Sequence, residues 1–269
     1  MLPWHGISVN GGQKRLTDRK IMRTIQFLTE DACNLSIPND SVDLIIASPP
    51  YLNLPERYGG DFKKQINYDK DLKGMLKILI KSMKEMERVL KPSGSILVNI
   101  GHDSNMPYHF LTEVLKRTNL KMIMSPFIQH LVREKSFLEK ERVWEDWDFW
   151  FHFAKNPAMT YHNPFESKKY NTRVWDIPWN KEDDLALEHL ISINIGHVLD
   201  GYNPDIAERF IKIFSKPGHT FLDPFGGTGT GAVTAWLNDR NAITNDISSE
   251  QTAIAEERFR FEQERLKSL

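Results

Sequence analysis

Hydrophobic positions along the chain fall into two alternating periods. Val42–Ala47 is an apolar run interrupted only by Asp43 and cut off by Ser48-Pro49-Pro50-Tyr51. Such a run predicts a strand buried on both faces of a parallel sheet, and two prolines end it abruptly. Residues 72–90 switch to helical spacing, with Leu76, Leu79, Ile80, Met83, Met86 and Leu90 on the apolar side. Lys91-Pro92-Ser93-Gly94 is expected to close that helix. Short strands are predicted at 22–28 and 95–100, a helix at 108–118, and strand-like runs at 122–132 and Trp147–Ala154. The alternation of Trp147, Phe149, Phe151 and Phe153 reads as a strand packed on the core. The last third is clearest. Asn203-Pro204 opens a helix to Phe214, a strand at 219–222 leads to a helix at 231–237, and Asn241–Asn245 precedes a charged helix from Ser248 onward. Strands alternating with helices imply a mostly parallel α/β sheet.

Three stretches break the pattern. Residues 1–20 read as an arm, with Gly11-Gly12 followed by Lys14, Arg15, Arg19 and Lys20, and residues 52–70 read as a long loop. Residues 156–201 are polar, with scattered tryptophans, and read as an irregular insert carrying one short helix near 184–191. Internal repeats and low-complexity tracts are absent from the sequence.

Composition narrows the class. The 269 residues, 40% hydrophobic and 26% charged, suit one large or two small soluble globular domains. No run approaches the roughly 20 apolar residues of a membrane span. The first ten residues lack a basic start followed by an apolar core, so no signal peptide is expected and the protein is placed in the cytoplasm. The single cysteine, Cys33, excludes an internal disulfide framework, and it reads as a small hydrophobe. His102, His130 and His152 have no partner acids at ligand spacing, so no metal is expected. A net charge of -1 gives no bulk attraction for nucleic acid, so any such contact must rest on local residues.

Two constellations carry chemistry. A strand ending in Asp223 runs through Pro224-Phe225-Gly226-Gly227-Thr228-Gly229-Thr230 into a helix. Glycines admit a ligand close to backbone N–H groups, and a helix N-terminus favours a negative group. The next strand ends at Asp246, where a carboxylate is placed to accept from ribose hydroxyls, so the pair fits a nucleoside cofactor. Ser48-Pro49-Pro50-Tyr51, beyond the end of a buried strand, offers a hydroxyl, a carbonyl at Pro49 and a flat ring. Together these would hold a planar base and accept both protons of its exocyclic amine.

With those residues in place the chain resembles the amino-group DNA methyltransferases. Ser48-Pro49-Pro50-Tyr51 is similar to their catalytic motif and Asp223–Thr230 to their S-adenosylmethionine turn, in the circularly permuted, beta-type order. Asp31-Ala32 with residues 38–45, Arg88 to Gly94, residues 174–178 and Asn203-Pro204 to Phe210 extend the resemblance over roughly 24–260. It implies the methyltransferase α/β fold in a single domain over 1–269. That fold has a mostly parallel seven-stranded sheet, one strand antiparallel, with helices on both faces. It also implies S-adenosyl-L-methionine as cofactor. Phe225, Gly227 and Gly229 would line its methionine part, Thr228 and Thr230 bind its carboxylate, and Asp246 hold the ribose. Asp31 would accept from the adenine amine, and Asp223, Pro224, Gly226 and Asn203 complete the site.

The resemblance further implies double-stranded DNA as substrate, with target recognition in residues 156–201. Candidate DNA contacts are Lys63, Lys64, Arg133, Lys135, Lys168, Lys169 and Arg173. A cognate restriction endonuclease is implied only as a genomic neighbour, no membrane is involved, and a homodimer is allowed. Serine at position 48 resembles the cytosine-N4 enzymes, with adenine-N6 methylation as the alternative. A catalytically silent DNA-binding module ranks far behind, because all the catalytic pieces are present.

Overall fold

Every residue of strand β2 (Val42–Ala47) is buried at the centre of one sheet, as its apolar run requires. The computed structural model describes residues 23–50, 72–101, 106–132, 147–170, 172–178, 184–193 and 202–268. Among these, the other strands are β1 (Ile25–Leu28), β3 (Leu90–Gly101), β4 (Lys121–Met122), β5 (Phe127–Val132), β6 (Trp147–Ala154), β7 (Val174–Pro178), β8 (Thr220–Asp223) and β9 (Asn241–Asn245). They lie in the order β1-β9-β8-β2-β3-β6-β5-β7, with β4 also paired to β6. β6 runs antiparallel to β3, β4 and β5, and the remaining pairs are parallel.

Helices cover both faces. α1 (Leu72–Val89) and α2 (Met106–Arg117) pack Met75, Leu79, Met83, Phe110 and Val114 against Ile45, Ala47, Ile96 and Phe153. On the other face α5 (Pro204–Phe214) and α6 (Thr230–Leu237) pack Ile206, Phe210, Ala232 and Ala235 against Leu44, Ile46 and Trp150. Side chains of β2 thus part to opposite faces with period two, and both faces are apolar. α7 (Ser249–Lys267) lies along β1 and α6, with Phe259 against Phe27 and Trp236.

The structure corrects four expectations. Nine strands form the sheet rather than seven. The run at 122–132 divides into β4 and β5, both pairing with β6. Residues 156–201 are not irregular throughout. They contribute β7, parallel to β5 with Trp175 and Ile177 buried, and α3 (Pro164–Lys169), besides α4 (Leu185–Ser192). Finally, Lys91-Pro92-Ser93-Gly94 lies inside β3. Val42 pairs with Leu90 but Leu44 with Ser95, so the turn residues are accommodated as a bulge. A Cβ on Gly94 would stand 2.6 Å from Leu90 Cδ1 and 3.0 Å from the Asp43 carbonyl, so the bulge is tightly packed there.

His152 on β6 is buried against Phe214, with Nε2 at 3.0 Å from Ser95 Oγ. Burial pushes its imidazole down from 6.5 to about 3. The folded state therefore holds it neutral, and its contribution to stability is full above pH 6.5 and lost as pH falls toward 3. Denaturant unfolding of wild type and His152→Phe should show this. Below pH 6.5 the wild type should lose about 1.4 kcal/mol per pH unit relative to the variant. Parallel curves would mean that His152 titrates without consequence.

Candidate functional site

All the parallel strands end at one edge of the sheet, and the two chemistry-bearing motifs meet there. β2 and β8 are neighbours, with Ile45 opposite Leu222. The chain leaves β2 toward α1 on one face, whereas it leaves β8 toward α6 on the other. In open α/β sheets, adjacent strand ends whose connections part in this way are where a ligand crevice is expected. Ser48-Pro49-Pro50 follows β2 on one side of it and Pro224 to Gly229 follows β8 on the other.

The glycine turn is dictated by close packing. A Cβ on Gly226 would fall 1.8 Å from Thr244 Oγ1, so the turn lies directly against β9. Gly229 has φ of 79° and caps α6, and a Cβ there would meet Ala255 of α7 at 2.8 Å. Beside Gly227, by contrast, a Cβ would meet nothing within 4 Å among the described residues, which leaves room over the turn. The Thr228 and Thr230 hydroxyls lie 3.5 Å apart at the start of α6. Asp246, just past β9, accepts from Gly227 N–H at 3.1 Å through Oδ2 and from Ser248 N–H at 2.9 Å through Oδ1. Burial raises its pKa, and the backbone donors at Ser248, Gly227 and Ile247 oppose that rise. Three backbone donors leave the carboxylate acceptor capacity for a ligand hydroxyl.

Asp223 stands at the head of the turn with no exposed surface. Its Oδ1 accepts from Phe225 N–H at 3.1 Å and its Oδ2 from the Tyr202 hydroxyl at 2.7 Å. Burial pushes the carboxyl up to about 7, against the lowering effect of those two donors.

Sequence reasoning missed Asn245, the fully buried last residue of β9. Its Oδ1 accepts from Glu30 N–H at 3.0 Å, and its Nδ2 donates to Glu30 carbonyl at 3.0 Å and Pro224 carbonyl at 3.1 Å. It also missed Tyr202. The only signal for Asn245 was a polar residue ending an apolar strand, next to the acid that drew attention.

The other expected residues are placed as follows. Asp31, exposed after β1, accepts from Cys33 N–H at 2.8 Å. Cys33 is half-buried, and burial, followed by the charge of Asp31, pushes its thiol up to about 12, which disarms it as a nucleophile. Asn203 is the N-cap of α5, accepting from Asp205 N–H at 2.8 Å. Tyr51, Lys63, Lys64, Arg133 and Lys135 lie outside the described residues. Lys168 and Lys169 are on α3, and Arg173 precedes β7 and reaches Ser125 carbonyl at 3.5 Å. Sheet register sets their distance from the crevice. Ala47 is level with Val98, while Val174 is level with Ile128, Phe149 and Ile100. Arg173 thus stands near the height of Ser48 but four strands away, about 19 Å. Among the described residues no group of three or more His, Cys, Asp or Glu could hold a metal ion, and no helix is long and apolar enough to cross a membrane.

Comparison with known proteins places this arrangement. The N6/N4 family model described as DNA methylase matches residues 42–257. The DNA adenine methyltransferase YhdJ of Escherichia coli K12 is 24% identical over 245 residues, covering 80% of this chain and 74% of its own. Among solved structures, the PvuII DNA methyltransferase (cytosine-N4-specific) superposes with a TM-score of 0.69 at 21% identity, over 88% of each chain. A DNA modification methylase of Thermus thermophilus, TTHA0409, solved with S-adenosyl-L-methionine, gives a TM-score of 0.60 at 21% identity over 90% of this chain and 96% of its own. Both likenesses establish the fold.

Replacing Asn245 by Ala strands one N–H and two carbonyls in the interior. The expected loss is about 2–4 kcal/mol of stability. Amide exchange should accelerate at Glu30 and through Gly226–Gly229 while β2 and β3 stay protected. Unchanged protection of the glycine turn would show that the turn does not need this amide.

Proposed function

Because the chain belongs to the N6/N4 DNA methylase family, we propose that it methylates the N4 amine of a flipped-out cytosine in double-stranded DNA. The observation that carries the reading is the meeting of Ser48-Pro49-Pro50 and the glycine turn across one crevice at the β2–β8 divergence. The methyl donor is S-adenosyl-L-methionine, whose sulfonium makes its methyl electrophilic. The residues fit it. The open space beside Gly227 admits the ligand, Asp246 accepts from ribose hydroxyls, and the α6 N-terminus with Thr228 and Thr230 receives the carboxylate. Asp31 would take the adenine amine, while Phe225, Gly226 and Pro224 shape the wall. Asn203 bears on the site by fixing the start of α5.

The amine is a poor nucleophile because its lone pair is delocalised into the ring. Ser48 Oγ and the Pro49 carbonyl accept its two protons, which favours the tetrahedral nitrogen of the transition state. The target base must leave the duplex to reach them, and Tyr51 supplies the stacking face. Residues 156–201 are assigned to target recognition, within a single domain. Their basic residues Lys168, Lys169 and Arg173 contact phosphate, as do Lys63, Lys64, Arg133 and Lys135.

Adenine presents the same amine, and the likeness to YhdJ keeps N6 methylation as the second reading. Mass spectrometry of nucleosides from DNA methylated in vitro separates them. N4-methylcytosine without N6-methyladenine is expected, and the reverse pattern would sink the cytosine assignment. Ser48→Ala should lower turnover about 10- to 100-fold with donor affinity unchanged, because Ser48 belongs to the base side of the crevice.

Calorimetric titration tests the donor side. Asp246→Ala should weaken S-adenosylhomocysteine binding about 10- to 100-fold, since it loses charge-assisted bonds to ribose and the tie to Gly227. Unaltered affinity would mean that the ribose is held elsewhere.

A further inference from the structure

Tyr202 joins three parts of the molecule that are distant in sequence. Its hydroxyl donates to Asp223 Oδ2 at 2.7 Å, and its ring meets Trp150 of β6 edge-on at 5.7 Å. The hydroxyl also fills the space over the first turn of α6, since a Cβ on Gly231 would lie 2.0 Å from it. Glycine at 231 is thus matched to a tyrosine at 202, and the phenol is wedged between β8, β6 and α6. The next residue, Asn203, caps α5 and fixes the backbone from which Tyr202 projects.

We propose that Tyr202 is a positioning residue for the methyl donor, its hydroxyl clamping Asp223 so that a negative charge is kept at the head of the glycine turn. The proposal rests on the reading of that turn as the donor site. Without the phenol, Oδ2 of the fully buried Asp223 would lose its side-chain donor and the carboxylate its main compensation for burial. The titratable and charged groups bearing on Asp223 are Tyr202, Asp246 after β9 and, through Tyr202, Arg258 on α7. Asp246 opposes the charge and Tyr202 supports it. S-Adenosylmethionine carries a net positive charge through its sulfonium and ammonium groups, so it binds the ionised form of Asp223 in preference. Because Asp223 sits at about 7 in the free protein, donor affinity should fall as pH drops below about 7 and level off above it.

The test is calorimetric titration of the full chain with S-adenosylmethionine in the absence of DNA, at about pH 6 and about pH 8.5. Removing the hydroxyl should raise the Asp223 limb by about one pH unit. Tyr202→Phe should therefore bind about tenfold more weakly than wild type at the lower pH and within about twofold at the higher. A purely structural role would weaken binding equally at both, and that outcome, or no change at either, overturns the proposal. Asp223→Asn supplies a second handle, because it cannot ionise. Its affinity should be weak and lack the limb near 7, and adding Tyr202→Phe to it should change nothing in the pH profile. If the limb persists in Asp223→Asn, the charge belongs to another group and the proposal falls. A wild type that binds no donor at either pH would overturn the donor-site reading along with it, whereas a wild type with the limb and an identical Tyr202→Phe sinks the inference alone.

Discussion

At the end of a parallel sheet the ladder of hydrogen bonds stops, and the next backbone groups must find other partners or water. Here the side chain of Asn245 supplies them for two loops at once. By pairing with both backbone groups of Glu30 it acts as one further rung between β9 and β1, and its remaining proton reaches across to Pro224 after β8. Asp246 then takes hold of Gly227. Two consecutive residues therefore convert three diverging strand ends into one rigid lip. Ser48-Pro49-Pro50 follows β2, the neighbour of β8, so the strand end beside it is shaped from the far side of the sheet.

That lip is expensive to maintain. Asp223 and Asp246 are both carboxyl groups whose burial disfavours their charge. A core built for stability alone would have used neutral residues at these places. Elsewhere one buried charge is met by its opposite, where Arg258 pairs with Asp184 at 2.5 Å and fastens α4 to the C-terminal helix. At the lip the compensation comes from backbone N–H groups and one phenol, with no cation paired to either carboxyl among the described residues.

What was legible in the sequence depended on whether its cause was local. The apolar run of β2 and the amphipathic spacing of α1 are local, and both elements appear where the pattern put them. Asn203-Pro204 announced α5 because an apolar face follows it. Asn163-Pro164 is the same cap, with Asn163 Oδ1 accepting from Phe165 N–H at 3.0 Å, yet α3 buries no side chain and so carried no periodic signal. β7 was hidden for a related reason. Its two inward residues, Trp175 and Ile177, are too few to mark a strand within a polar stretch. The roles of Asn245 and Tyr202 arise from partners more than twenty residues away or on other strands, which no spacing rule reaches. The placing of both motifs at strand ends was legible because each follows a short apolar run, and parallel strands end at one edge.

The strand order carries a consequence for how the chain is made. β8 and β9, which come last, lie between β1 and β2, which come first. While the ribosome is still translating the middle of the protein, β2 has β3 on one side and nothing on the other, and β1 has no sheet to join. An apolar strand therefore waits with an open edge until β8 and β9 emerge, which is the condition under which nascent proteins pair wrongly with one another. Closure comes in a late step that inserts two strands into the gap and buries both exposed edges together. The same event brings the glycine turn beside Ser48. The two motif-bearing strands thus become neighbours only after β8 and β9 have been made.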